Sequence, residues 1–162
     1  MRVLVTYADD DGASEDTARL IGDALVCDGI ESVVRPVETA TLGDFDAVIL
    51  GSTARAGHWP RRAIRFALTQ RHALRRVPVW LYSNSPAGDA FAPEQRIDIT
   101  PVEDALTPLD HRPFLPAAPT VGWPPQALQP DQGEVRGWAH QIATALQTAG
   151  PIVETPFAPA VS

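Results

Sequence analysis

Short apolar runs alternate with stretches whose apolar residues return at helical spacing, and this alternation constrains the fold more than any other feature of the chain. RVLVTYA (2–8) and FDAVILGS (45–52) are apolar at successive positions. Both faces of such strands must be covered, which is the condition of a parallel sheet flanked by helices. ESVVRPV (31–37) and VPVWLYS (77–83) add two strands, and Pro36, which has no N–H for a ladder, suits an edge. Between them, SEDTARLIGDALVCDG (14–29) sets Ala18, Ile21 and Leu25 on one helical face and ends at Gly29, a residue fit for the turn that closes a helix. Pro60 opens a helix reaching to Leu74, with Ile64, Ala67 and Leu68 as its buried stripe.

The pattern thins after residue 84. Thr100, Pro101 and Glu103 have the spacing of a capping box and predict a short helix over 101–107. HRPFL (111–115) is a fifth strand weakened by Pro113, and residues 116–130 are proline-rich loop. Asp131 and Glu134 cap a last helix to Thr148, with Trp138, Ile142 and Leu146 on one face. The expectation is one α/β domain over 1–149, a doubly wound parallel sheet, followed by a proline-rich flexible tail over 150–162. Ligands of such sheets bind outside the carboxyl ends of the strands. The loops Ala8–Ala13, Thr53–Trp59 and Asn84–Asp89 leave those ends.

Charge is unevenly spread. Residues 1–54 carry eleven acids and three arginines, residues 55–76 seven arginines and no acid, and residues 77–162 nine acids and three arginines. The net charge of -7 argues against general nucleic-acid binding, which requires broad phosphate neutralisation. Cys27 is the only cysteine, which excludes a disulfide framework and a cysteine-based metal site. With no signal peptide and no apolar run long enough to span a membrane, the expected location is cytoplasmic.

The loops carry a resemblance. MRVLVTYA with Gly12 and Ser14, FDAVILGSTARAGHW, VPVWLYSNSPAGD and the closing GEVRGWAHQIATAL are similar to the flavodoxin-like proteins. They are most similar to the flavodoxin-domain group that includes menaquinone-dependent protoporphyrinogen oxidase. The resemblance spans residues 1–148, and its middle block, with Gly51-Ser52 and then Gly57-x-Trp59, is the most specific. It implies a five-stranded sheet of order 2-1-3-4-5 and FMN as cofactor, used for electron transfer or oxidation of a small molecule. By position, the segment from Asp9 through Gly12 and Ala13 to Ser14 would surround the FMN phosphate. Ser52, Thr53, Ala54, Arg55 and Trp59, with Tyr82, Ser83, Asn84, Ser85 and Gly88, would flank the isoalloxazine. The chain departs from the group where Asp9 and Ala13 replace hydroxyl residues, near Asp10, and where Arg55 replaces an aromatic residue.

YADDDGASEDTA (7–18) therefore supports opposed readings. Backbone N–H groups and the dipole at the start of the helix favour an anion. Asp9, Asp10 and Asp11 oppose one. A carboxylate about 8 Å from a phosphate charge costs roughly 2 kcal/mol at an effective dielectric near 20. One function reading is an FMN-dependent redox protein of the protoporphyrinogen-oxidase-like group. The other is a flavodoxin-like domain that has lost FMN and binds a partner or another small molecule. Asp9–Asp11 also suit a divalent metal or a solvated acidic turn. A receiver-type phosphorylation site is excluded, because the third strand ends in Gly51-Ser52 where that chemistry needs an aspartate.

Arg61, Arg62 and Arg65 lie off the apolar stripe, as an exposed helix face or, with Arg55, as a dock for an acidic partner or anionic substrate. Arg55 has a further option, pairing with Asp9–Asp11 and plugging the site. The histidines 58, 72, 111 and 140 share no metal spacing, and no histidine–acid pair for Ser83 or Ser85 is identifiable from sequence. Trp59 either stacks on a flavin or anchors the helix after it.

Overall fold

β1 (Arg2–Ala8) runs through a five-stranded parallel sheet, bonded on one side to β2 (Glu31–Pro36) and on the other to β3 (Ala47–Thr53). β4 (Val79–Asn84) follows β3, and β5 (Asp110–Phe114) forms the far edge, so the strand order is 2-1-3-4-5. This is the doubly wound architecture expected from the sequence. The computed structural model describes residues 1–9, 12–84, 97–114 and 130–149. Asp10, Asp11, Ser85, Gly88, most of the proline-rich loop and the tail lie outside the described residues.

All of β3 and β4, and β1 beyond Arg2, are buried, which explains their unbroken apolar character. The edge strands β2 and β5 are partly exposed and tolerate Pro36 and Pro113 there. Successive residues feed opposite layers. Val3, Val5, Ile49 and Trp80 pack with α1 (Ala13–Cys27) and α5 (Gln132–Ala149), through Ile21, Leu25, Trp138, Ile142 and Leu146. Leu4, Val48, Leu50 and Leu81 pack with α2 (Arg61–Thr69), α3 (Arg71–Leu74) and α4 (Thr100–Leu106).

Three local expectations are corrected. The helix predicted to reach Leu74 breaks at Gln70, which caps α2 and leads into α3. Its buried residues are Ala63, Phe66 and Ala67, with Ile64 and Leu68 only half-buried. Phe66 and Ala63 turn the stripe by about one position, because the helix must place its one aromatic ring against the sheet. The capping box does not form: Thr100 lies inside α4, and Asp98 Oδ1 accepts from the Thr100 amide (3.1 Å) and hydroxyl (2.8 Å) instead. Asp131 does cap α5, accepting from the amides of Gly133 (2.7 Å) and Glu134 (3.3 Å).

Gly51 on β3 stands opposite Tyr82 on β4. A Cβ at Gly51 would fall 1.8 Å from the Tyr82 ring, so the ring lies directly across the glycine. The phenol thereby passes over β3 and donates to the Ser14 carbonyl at the start of α1 (2.9 Å). Phe114 and Trp138 pack against the same ring at centroid distances of 6.2 and 6.4 Å. Gly51→Ala must expel the ring from this seat. We expect a loss of about 1–3 kcal/mol in urea denaturation, the range for core overpacking; an unchanged midpoint would show that the ring can shift without cost.

Candidate functional site

The carboxyl ends of β1, β3 and β4 meet the first turn of α1. Among the described residues, seven polar residues are buried, and six of them converge here: Ser14, Thr17, Ser52, Thr53, Ser83 and Asn84. Ser14 Oγ pairs with Thr53 Oγ1 at 2.9 Å. Thr17 donates to the Ala13 carbonyl (3.0 Å) and accepts from Asn84 Nδ2 (2.9 Å). Ser52 donates to the Thr53 carbonyl (3.2 Å), and the Ala54 amide donates to the Asn84 carbonyl (2.7 Å). Burial raises the Tyr82 pKa well above its ordinary value, with the Asp9 charge adding to the effect, so the phenol that holds Ser14 is a neutral donor.

The loop before α1 is built as an anion cradle. Gly12 supplies its bend, at φ 91. The anion seated in it is the protein's own: Asp9 Oδ1 accepts from the Gly12 amide and Oδ2 from the Glu15 amide, both at 2.8 Å. Arg62 fixes this arrangement from outside, donating through Nη2 to the Asp9 carbonyl while Nη1 lies 3.6 Å from Glu38. Arg62 is thus a half-buried clamp on the loop rather than part of an exposed face, while Arg61 and Arg65 remain exposed. Hydrogen bonds to a charged acceptor are worth about 1.5–3 kcal/mol each. A phosphate entering the cradle must first break both, so it binds more weakly than to an open cradle by about 3–6 kcal/mol, or roughly a hundredfold to ten-thousandfold in affinity. Ser14, the hydroxyl expected on the phosphate, is fully buried and turned to Thr53.

The second loop is a tight turn. Arg55 and His58 exchange backbone hydrogen bonds of 2.9 and 3.0 Å, with Ala56 and Gly57 between them at φ 49 and 78. Positive φ at both central residues defines the mirror-image hairpin turn that favours glycine. The Asp98 amide donates to the Gly57 carbonyl (2.8 Å), tying the turn to the segment entering α4. Thr53, Arg55, His58, Trp59 and Pro60 line a half-open cavity of about 210 Å³. That is below the roughly 300–1,000 Å³ of a complete small-molecule pocket, so by itself it has room for only part of a ligand.

Trp59 is 3% exposed and packs among Leu81, Ala63 and Val102, which makes it the anchor of the chain entering α2. Its indole donates to Ser83 Oγ (2.8 Å), and Ser83 Oγ lies 2.8 Å from His111 Nε2. His111 Nδ1 is 3.8 Å from Glu103. The fold therefore supplies the histidine–acid pair that the sequence does not reveal, gathering it from β4, β5 and α4. Ser83 is fully buried beneath Trp59, so the row braces the second loop rather than presenting a nucleophile. Among the described residues no group of three or more histidine, cysteine or acidic side chains could hold a metal, and two of the three aspartates weighed for that role lie outside them. Among the same residues no helix is long and apolar enough to cross a membrane.

A sequence model of the flavodoxin domain matches residues 4–137. The chain belongs to the flavodoxin-domain family. No curated protein matches it in sequence. The domain superposes on a flavodoxin from the domain Archaea with a TM-score of 0.68 at 16% identity, covering 91% of this chain and 99% of that one. A mutant flavodoxin from Pseudomonas aeruginosa gives 0.63 at 19% identity, covering 91% and 99%. The rubredoxin:oxygen oxidoreductase of Desulfovibrio gigas gives 0.67 at 14%, with 91% of this chain matching 36% of that larger protein. Flavodoxins typically bind FMN, and membership supports a general flavodoxin-like redox function.

The flavodoxin domain carries a pH signature in its second-loop brace. Burial lowers the His111 pKa below its ordinary value of 6.5, while Asp110 opposes the shift. The neutral ring is the native form, and the unfolded chain binds the extra proton. This contribution is present in full above pH 6.5 and is lost as pH falls from there through the folded value. Stability measured by denaturant between pH 8 and 5 should fall on acidification, and His111→Gln should flatten that fall; an equally steep profile in the variant would assign it to other groups.

Proposed function

We propose that the protein is a flavodoxin-like redox domain that seats a flavin at the carboxyl ends of β3 and β4. There it would transfer electrons to a partner or oxidise a small molecule, as in the protoporphyrinogen-oxidase-like group. The supporting observation is the convergence of six buried polar residues at that end of the sheet, where an open α/β sheet carries its ligands. A bound flavin supplies reversible electron and hydride transfer. The chain's own part is positional. Tyr82 and Ser14 hold the start of α1 against β3, Trp59 and Ser83 hold the second loop, and the Arg55–His58 turn walls the cavity. Arg55, Arg61 and Arg65 present an exposed cationic face suited to an acidic partner.

FMN itself does not fit the cradle as it stands, because the Asp9 carboxylate holds two of the amides that its phosphate would need. That contact favours a second reading, a flavodoxin domain with no flavin at all that binds a partner or another small molecule. Titration of the purified protein with FMN and, separately, with riboflavin decides between them. Saturable quenching of flavin fluorescence by either compound is the expected result, and absence of saturation with both would refute the redox reading.

A further inference from the structure

Resting on the redox reading, we infer that the site selects a flavin ending in a hydroxyl, of which riboflavin is the simplest, over one ending in a phosphate. Asp9 is the residue that sets this preference. Its two carboxylate oxygens accept from the Gly12 and Glu15 amides, two of the backbone donors at the helix start that an anion would use. Arg62 holds the Asp9 backbone in place through its carbonyl, so the carboxylate is presented to the cradle by a braced segment. The first turn of α1 adds Glu15, whose carboxylate is paired with Arg19 at 2.6 Å, and Asp16, so a dianion entering here also meets acidic side chains. Ser14 offers it nothing, since its hydroxyl is buried on Thr53.

The same end of the sheet asks for donors. A carboxylate accepts hydrogen bonds and gives none, so the neutral group that suits Asp9 is a hydroxyl. A separate residue asks for a donor from the chain that both flavins share. Asn84 is 1% exposed, and its Nδ2 reaches Thr17 in the first turn of α1. Its Oδ1 has no hydrogen-bond partner among the described residues. A buried acceptor without a donor is costly, and a hydroxyl of the ribityl chain, which riboflavin and FMN share, is the part of a flavin that can supply one. Asp9 therefore acts as a specificity-determining residue: it stands in for the phosphate and leaves the sugar-alcohol chain as the part to be recognised.

Riboflavin and FMN differ only in the terminal phosphate, which makes them the probes. Fluorescence titration of the full chain at fixed ionic strength should give a Kd for riboflavin at least tenfold below that for FMN. Asp9→Asn removes the charge with the shape kept, and Asp9→Ser removes the competitor. Either variant, shown by circular dichroism to be folded, should tighten FMN by tenfold or more without tightening riboflavin. Wild-type protein that binds FMN as tightly as riboflavin, or folded variants with no gain for FMN, would overturn the selectivity while leaving the redox reading intact. Failure of both flavins to bind would overturn both.

Discussion

The Tyr82 phenol, lying across Gly51 and bonded to the Ser14 carbonyl, is the interaction on which the functional end of this protein depends. It joins β4 to the start of α1 over the top of β3, a tie between sheet and helix that strand pairing alone does not supply. Removal of one side chain at Gly51 makes room for the ring, and Phe114 and Trp138 hold it from the other side. With the first turn of α1 fixed in this way, the Gly12 and Glu15 amides are set before any ligand arrives. An anion cradle of this kind carries its reorganisation cost in the fold rather than in the binding step.

What occupies the cradle is a matter of chain economy. A helix start with unsatisfied N–H groups needs an acceptor, and Asp9 stands close enough along the chain to provide one at no association entropy. The family's fold is retained because its core does not depend on the ligand: β1, β3 and β4 are buried on both faces whatever the first loop holds. Electrostatics at the mouth is thereby decoupled from the stability of the sheet, and the ligand preference of a flavodoxin domain can change through one loop residue.

Much of the fold was legible because it rests on local signals. The two-sided apolar runs locate β1 and β3, and Pro36 marks β2 as an edge strand. Asp131 caps α5, and Gly29, at φ 82, turns the chain out of α1 as its position suggests. The misses are contacts between distant segments. Nothing near Arg62 tells that it reaches Asp9, and Ser83, His111 and Glu103 come from three elements that only the strand register aligns. Asp98 displaced the expected cap of α4 through a two-residue contact as local as the one it replaced, so the competition between them was open in sequence. The three aspartates show the limit most plainly. Their charge is visible in the sequence and argues against phosphate through space, whereas the direct seating of Asp9 on two amides requires the loop's geometry.

Asp9 fills the anion cradle. Amide chemical shifts of Gly12 and Glu15, followed by two-dimensional NMR during titration with inorganic phosphate, test it without any flavin. In the wild-type protein both resonances should stay in place, and in Asp9→Ser they should move together along one saturable curve. Saturable movement of both resonances in the wild type would contradict it.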